Sequence, residues 1–159
     1  MDFSIISGAI SALIGALIYH WVDKVKIRRK AIEMIRYELD TNKRILEIML
    51  RGITKGEKQL YASPFLFDAY NFIKVNDPQL IMYIDSSTHG TLTEIYLSLQ
   101  LLNEVRRSTI LGLRTISRPE AVTKPLKELL NGIDKLNRFI LSVKIGLFGK
   151  LKVQKKLNL

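Results

Sequence analysis

The residue types that most often carry out chemistry are few in this sequence, and they form no recognisable catalytic pattern. The two histidines, His20 and His89, lie in separate regions, and neither has a carboxylate at zinc-ligand spacing. There is no cysteine, which excludes disulfides, thiolate metal sites and cysteine nucleophiles. Gly52 and Gly56 lack the GK[ST] ending of a phosphate-binding loop, and no serine lies in a G-x-S-x-G motif. We therefore predict no catalytic residue, no metal site and no cofactor.

Three acidic residues, Glu33, Asp40 and Glu47, recur at intervals of seven on a predicted helix. Paired carboxylates could act as a general acid and base. Each of these three, however, has basic residues three or four positions away, which is typical of a salt-bridged and solvated helix surface. An enzyme built from scattered residues is a third hypothesis, but no set of residues with definable roles supports it.

A long stretch without charged side chains lies at the start of the chain. Residues 3–22 contain no charged side chain, and twenty helical residues span about 30 Å, the thickness of a bilayer's hydrocarbon core. A cluster of cations follows directly, and cations at the end of a span are retained on the cytoplasmic side: Lys24, Lys26, Arg28, Arg29 and Lys30. We predict a transmembrane segment over residues 1–23, with the N-terminus outside, in the cell membrane.

Three other interpretations of this segment are less consistent with its flanks. A secretory signal peptide has its cations before the apolar stretch and small residues after it, the reverse of the order here. A buried core helix seldom continues this long without a charge. An interfacial amphipathic helix would carry a strongly charged face. Tyr19 and Trp21, at the end of the stretch, are residue types that anchor a span at headgroup level.

Small residues form one face of the predicted span, which we call the small-residue face: Ser4, Ser7, Gly8, Ser11, Ala12 and Gly15. Small residues let two helix backbones approach closely, and serine hydroxyls can hydrogen-bond across such a contact. Because the chain has no second predicted span, the partner would be another copy, and we expect a homo-oligomer. The alternatives are a lone anchor rich in small residues and a narrow pore lined by the serines.

The net charge of +10 indicates an anionic partner. Further cations lie near the end of the chain, and we predict that four of them join the five juxtamembrane cations in contacting anionic lipid: Lys150, Lys152, Lys155 and Lys156. A solvated tail is the simpler alternative. The same charge would suit nucleic acid or a nucleotide, but no motif supports either partner.

The rest of the chain has helical periodicity and no convincing alternation of period two. We predict an all-α fold in which the transmembrane helix continues into a cytoplasmic bundle of about four helices. The predicted parts are a basic juxtamembrane and stalk helix over residues 24–56, the bundle over residues 57–149, and a basic tail over residues 150–159.

Local signals place the ends and contacts of these helices. Ser63-Pro64 and Asp77-Pro78 each combine an N-cap residue with a proline at the first helical position. We predict helices from both, then one over residues 91–116 and a last one from about Lys124. Three asparagines fall on apolar stripes and are expected to fix register by bonding one another: Asn42, Asn103 and Asn137.

Two short sequence elements follow the basic cluster. The first is E-L-x-x-N, at Glu38 to Asn42, and the second is Ile95-Tyr96, Leu99, Leu102 and Asn103. With the order of span, basic stop and helix, the chain resembles small uncharacterised prokaryotic membrane proteins that have one span and a cytoplasmic helical domain. The resemblance implies no activity, and it does not cover the last helix or the tail.

These observations lead to two main functional hypotheses. The first is a non-enzymatic, self-associating membrane protein that presents its bundle to a cytoplasmic protein partner as a scaffold or adaptor. The second is a small homo-oligomeric pore or membrane effector, gated by a ligand of the cytoplasmic domain. Ion flux through liposomes distinguishes the two.

Overall fold

The chain folds into α-helices that end in a short β-hairpin. The structure, a computed structural model, describes residues 3–56, 63–111, 119–145 and 150–153. Within these ranges the helices are α1 (Phe3–Thr54), α2 (Asp68–Asn76), α3 (Pro78–Thr88), α4 (Thr91–Ile110) and α5 (Pro119–Ser142). Antiparallel strands β1 (Val143–Ile145) and β2 (Leu151–Val153) follow α5. The prediction of an all-α bundle is confirmed for the helices, and the hairpin was not predicted.

Helix α1 is continuous over 52 residues, as the absence of proline and glycine between Lys24 and Arg51 predicted. Gly52 lies inside the helix and does not end it. The helix ends at Thr54, and two residues later Gly56 has a left-handed φ of 80° and donates its N–H to the carbonyl of Ile53 at 3.0 Å.

The core lies between the second half of α1 and the other four helices, with α5 and α2 packed directly on α1. Each helix contributes an apolar stripe at three-four spacing, and burial of these stripes drives the packing. The largest fully buried side chains are those of Ile35, Leu39, Leu46, Ile73, Leu80, Ile84, Leu92, Leu99, Leu126, Ile133, Leu136 and Ile140.

The first part of α1 takes no part in this core. Every side chain from Ser7 to His20 is exposed, around the whole circumference of the helix. This observation is inconsistent with the interpretation of the segment as a buried core helix. In the described part of the chain, none of the helices holds a stretch long and apolar enough to cross a membrane. The transmembrane segment is not supported by that finding and stays a prediction.

The helix starts agree with the sequence signals in one case and not in the other. Helix α3 begins at Pro78 with Asp77 at the N-cap, as predicted. The start predicted at Ser63-Pro64 is wrong, because residues 63–67 are irregular and α2 begins only at Asp68. Helix α3 continues to Thr88, after which the chain reverses through left-handed residues at His89 and Gly90.

The last helix begins earlier and ends differently from the prediction. It starts at Pro119, so that Pro125 lies inside it. After Ser142 the chain forms the hairpin, in which Val143 pairs with Val153 and Ile145 with Leu151. Part of the predicted basic tail is thus a strand. The predicted end of α4 near Ile116 lies outside the described residues.

Candidate functional site

A buried carboxylate, Glu38 of α1, organises the contacts at the start of α2. Its side chain is only 3 % exposed. Oε2 accepts a hydrogen bond from the Ala69 N–H at 2.7 Å, and Oε1 accepts one from the Tyr70 N–H at 3.3 Å. These two N–H groups belong to the first turn of α2, where no partner exists within the helix. Glu38 therefore caps α2 from a different helix, and its negative charge is favourable at that end of the helix dipole.

The irregular segment before α2 is held by two asparagines. Asn42 accepts from the Leu66 N–H at 2.8 Å and donates to the Leu66 carbonyl at 2.9 Å. Asn103 of α4 makes the same pair of bonds with the backbone of Phe65, at 3.0 and 3.3 Å. These side chains satisfy the backbone groups that a helix would otherwise satisfy, which explains why Pro64 does not begin one.

The asparagines thus have structural roles, but the predicted bonding between them is wrong. Asn42 and Asn103 bind backbone groups of the segment between them in sequence. Asn137 of α5 donates to Asp40 of α1 at 2.8 Å. Asn42 and Asn103 therefore hold a backbone segment, and Asn137 binds a carboxylate and not another amide.

Aromatic residues complete the cluster around Glu38. The hydroxyl of Tyr96 donates to Glu38 Oε1 at 2.6 Å, and the Tyr96 ring stacks on Tyr70 with centroids 4.4 Å apart. Phe67 contacts the Tyr96 ring edge-on at 6.1 Å. Burial of the hydroxyl, with the neighbouring Glu38 carboxylate, raises the pKa of Tyr96. The phenol therefore stays protonated and donates its hydrogen bond throughout the physiological range.

We call Glu38, Asn42, Tyr96 and Asn103 the clamp. All four belong to the two short sequence elements at Glu38 to Asn42 and Ile95 to Asn103, and the fold brings them together on residues 65–70. Because the Glu38 oxygens accept three hydrogen bonds, this carboxylate is committed to structure and is a poor candidate for acid–base chemistry.

A polar cavity of about 470 Å³ lies beside the clamp, between α2 and α4. Its lining includes the ring of Tyr70 and several amide and charged side chains: Asn71, Lys74, Gln100, Asn103 and Glu104. Within the described ranges, no group of three or more metal-ligating side chains lies together here or elsewhere.

A second buried pair links α1 to the corner between α2 and α3. Arg28 Nε donates to Asp77 Oδ2 at 2.5 Å and Arg28 Nη2 to Oδ1 at 3.2 Å, and both residues are less than a tenth exposed. Two parallel bonds between a guanidinium and a carboxylate fix both position and orientation. Arg28 therefore does not belong to the lipid-contacting surface to which the sequence assigned it.

The other predicted site residues are spread along α1 and the hairpin. Ser7, Gly8, Ser11, Ala12 and Gly15 are exposed on the projecting part of α1, as is Tyr19, whereas Trp21 is half-buried. Five of the cations predicted to contact lipid are exposed in the structure: Lys26, Arg29, Lys30, Lys150 and Lys152. Lys24 is half-buried. The side chain of Ser4 and residues Lys155 and Lys156 lie outside the described residues.

The comparisons with known proteins identify no relative. No protein-family model matches the chain, no curated protein matches its sequence, and no solved structure matches its fold.

Proposed function

We propose that this protein is a non-enzymatic, single-pass membrane protein that self-associates through its N-terminal helix and presents its helical bundle in the cytoplasm as a scaffold or adaptor. The observation that carries the proposal is the exposed apolar surface of α1. Five large aliphatic side chains on this stretch are each at least half exposed: Ile10, Leu13, Ile14, Leu17 and Ile18.

Such a surface is unfavourable in water and favourable in a bilayer. Full burial of one such aliphatic side chain stabilises by about 1.5–3 kcal/mol, and soluble monomers rarely expose apolar side chains contiguously. The helical backbone satisfies its own hydrogen bonds, as lipid requires. In the sequence the uncharged stretch extends from Phe3 to Val22, and twenty helical residues at about 1.5 Å each have a length of about 30 Å, close to the thickness of the hydrocarbon core.

The charges that follow support the orientation. Lys26, Arg29 and Lys30 are exposed just beyond the apolar stretch, on the bundle side. Cations at this position are retained in the cytoplasm during insertion. The bundle therefore lies on the cytoplasmic side in our proposal.

The glycines of α1 support self-association. A Cβ atom added at Gly8 or Gly15 would meet nothing within 4 Å, so contacts within this chain do not require a glycine at either position. Glycine in a helix interior costs about 1 kcal/mol relative to alanine in water. Close approach of a second helix is a physical reason for glycine at both positions. Gly8, Ala12 and Ala16 also have the four-residue spacing that is typical of such contacts.

Alkaline carbonate extraction of membranes from cells expressing the full chain tests the anchor. We expect the protein to stay in the membrane pellet, and the double variant Leu13→Lys, Leu17→Lys to be released, because a lysine at the centre of a span costs about 2.5–3.5 kcal/mol. The matched control is Leu97→Lys, Leu101→Lys, an i,i+4 pair of exposed leucines on α4. Release of the wild type, or equal release of both variants, would contradict the proposal.

A further inference from the structure

Three segments that are far apart in sequence meet at the end of the bundle from which α1 projects. Helix α5 is antiparallel to α1, because Asp134 binds Lys43 at 2.7 Å while Asn137, further along α5, binds Asp40, further back on α1. The C-terminal end of α5 is therefore directed toward the projecting part of α1. Strand β1 follows it without a break and packs against α1.

The corner between α2 and α3 lies at the same end. A cavity of about 300 Å³ separates Asn76 and Gln79 from His20 and Lys24, which fixes this corner beside the α1 residues that follow Tyr19. The buried Arg28–Asp77 pair ties the corner to α1 one turn further along. Val75, at this corner, is 81 % exposed although it is apolar.

The surface formed by these segments, which we call the basal surface, comprises residues 24–30, 74–79, 143–145 and 150–152. Its exposed charged side chains are all cations: Lys26, Arg29, Lys30, Lys74, Lys144, Lys150 and Lys152. Asp77, the acidic residue of these ranges, is buried against Arg28. Asp23 and Glu33 are exposed at its borders on α1.

We propose that the basal surface lies on the anionic headgroup layer, so that the bundle is docked onto the membrane and is not held away from it by α1. The inference rests on the proposed function, since it is the anchor that brings this end to the bilayer. An anionic leaflet attracts clustered cations within about 10 Å at 0.1 M salt. Val75 is the residue at the corner that would enter the interface, because its apolar side chain has no cover within the bundle.

Single-cysteine labelling of the full chain tests the docking, since the sequence has no cysteine of its own. Val75→Cys, carrying a fluorophore, is reconstituted into vesicles that contain a lipid with a quencher at headgroup level. We expect at least about twofold stronger quenching with phosphatidylglycerol present than with phosphatidylcholine alone, and loss of the difference in 1 M salt, where the Debye length is about 3 Å. Lys127→Cys, on the exposed surface of α5 at the opposite end, should show no difference.

One further labelled variant separates docking from anchoring. Leu13→Cys, read with a quencher deep in the acyl chains, reports insertion of α1 whatever the lipid charge. If Leu13→Cys is quenched but Val75→Cys is quenched no more than Lys127→Cys, the anchor stands and the docking is wrong. If Leu13→Cys is not quenched, both the anchor and the docking are wrong.

Charge reversal identifies the partner. Lys74→Glu with Lys150→Glu should abolish the lipid-dependent quenching of Val75→Cys, whereas Lys124→Glu with Lys127→Glu, which changes the net charge equally, should leave it unchanged. A label that responds to RNA in detergent and not to phosphatidylglycerol vesicles would overturn the inference and assign the basal surface to nucleic acid.

Discussion

At the scale of single residues, Glu38 decides where α2 begins. Its carboxylate accepts from the N–H groups of Ala69 and Tyr70 and from the hydroxyl of Tyr96, and thus joins α1, α2 and α4. An acidic residue one turn before Asn42 on the buried side of α1 is the signal that sequence reasoning could have used. The E-L-x-x-N element contains this residue but does not by itself indicate a capping role.

Replacement of Glu38 by glutamine should destabilise the bundle. One carboxylate oxygen becomes an NH2 group, which cannot accept, so that at least one of three buried donors loses its partner at a cost of about 1–3 kcal/mol. Urea denaturation of the detergent-solubilised full chain measures the free energy of unfolding. Glu33→Gln, at an exposed position of the same helix, should change it by less than about 0.5 kcal/mol. Equal effects of the two variants would show that the clamp contributes little.

Tyr96 should make stability fall at alkaline pH. Burial first, and then the Glu38 carboxylate, raise the pKa of Tyr96 in the folded state above its ordinary value of 10.0. A group whose pKa is raised by folding contributes stability that is complete below the unfolded pKa and declines as the pH rises above it. Between about pH 10 and the folded pKa, the loss is about 1.4 kcal/mol per pH unit.

The comparison that isolates this effect is wild type against Tyr96→Phe. Both proteins share all other tyrosines and lysines, so their difference in free energy of unfolding should be constant up to about pH 9 and change in favour of the variant above pH 10. A difference independent of pH up to 11 would show that Tyr96 ionises as it does in the unfolded chain.

At the scale of elements, the projecting part of α1 is the least accounted for by contacts within the chain. Its side chains from Ser7 to His20 are exposed, and its glycines have open space around them. The other helices bury one stripe each and are explained by the core. In our proposal this surface is covered by lipid and by another copy of the chain.

Gly8→Leu should weaken self-association in membranes. A leucine on the small-residue face prevents close approach of two backbones, which is the main source of attraction between helices in lipid. We expect chemical cross-linking of the reconstituted protein to yield several-fold fewer oligomers. Leu17→Phe adds bulk on the opposite side of the helix, about 180° from Gly8, and should leave the yield unchanged.

The same vesicles distinguish the adaptor from the pore. We expect them to stay tight to ions with the wild type. Ion flux that is abolished by Gly8→Leu would contradict the adaptor proposal and favour the pore. Equal cross-linking of Gly8→Leu and Leu17→Phe would argue against a contact at the small-residue face.

Other elements illustrate how local signals compete with tertiary contacts. Asp77-Pro78 begins a helix with Pro78 at the first helical position, although the Asp77 side chain pairs with Arg28 and makes no cap hydrogen bond. Ser63-Pro64 has the same local chemistry, yet Asn42 and Asn103 bind the backbone of the two residues that follow Pro64. These bonds hold the segment in an irregular conformation that is not helical. The hairpin was missed because strands of three residues carry too little alternation to detect.

At the scale of the whole molecule, the antiparallel return of α5 determines the distribution of charge. Two groups of exposed cations are more than a hundred residues apart in sequence, and both lie at the end of the bundle from which α1 projects: Lys26, Arg29 and Lys30 on α1, and Lys144, Lys150 and Lys152 near the hairpin. The net charge of +10 does not say where on the molecule the positive charge lies. The fold concentrates much of it on the basal surface, where it can act on a single partner.

The sequence by itself determined the helical class, the continuity of α1 from Lys24 to Arg51 and the apolar stripes, because helical periodicity and the absence of proline and glycine over that range are local properties of the chain. The tertiary structure alone decided that Glu38 meets Tyr96, that Arg28 is buried against Asp77, and that three distant basic segments share one surface. These are contacts between residues tens to more than a hundred positions apart. They depend on the direction in which each helix packs, which no local pattern of residues specifies.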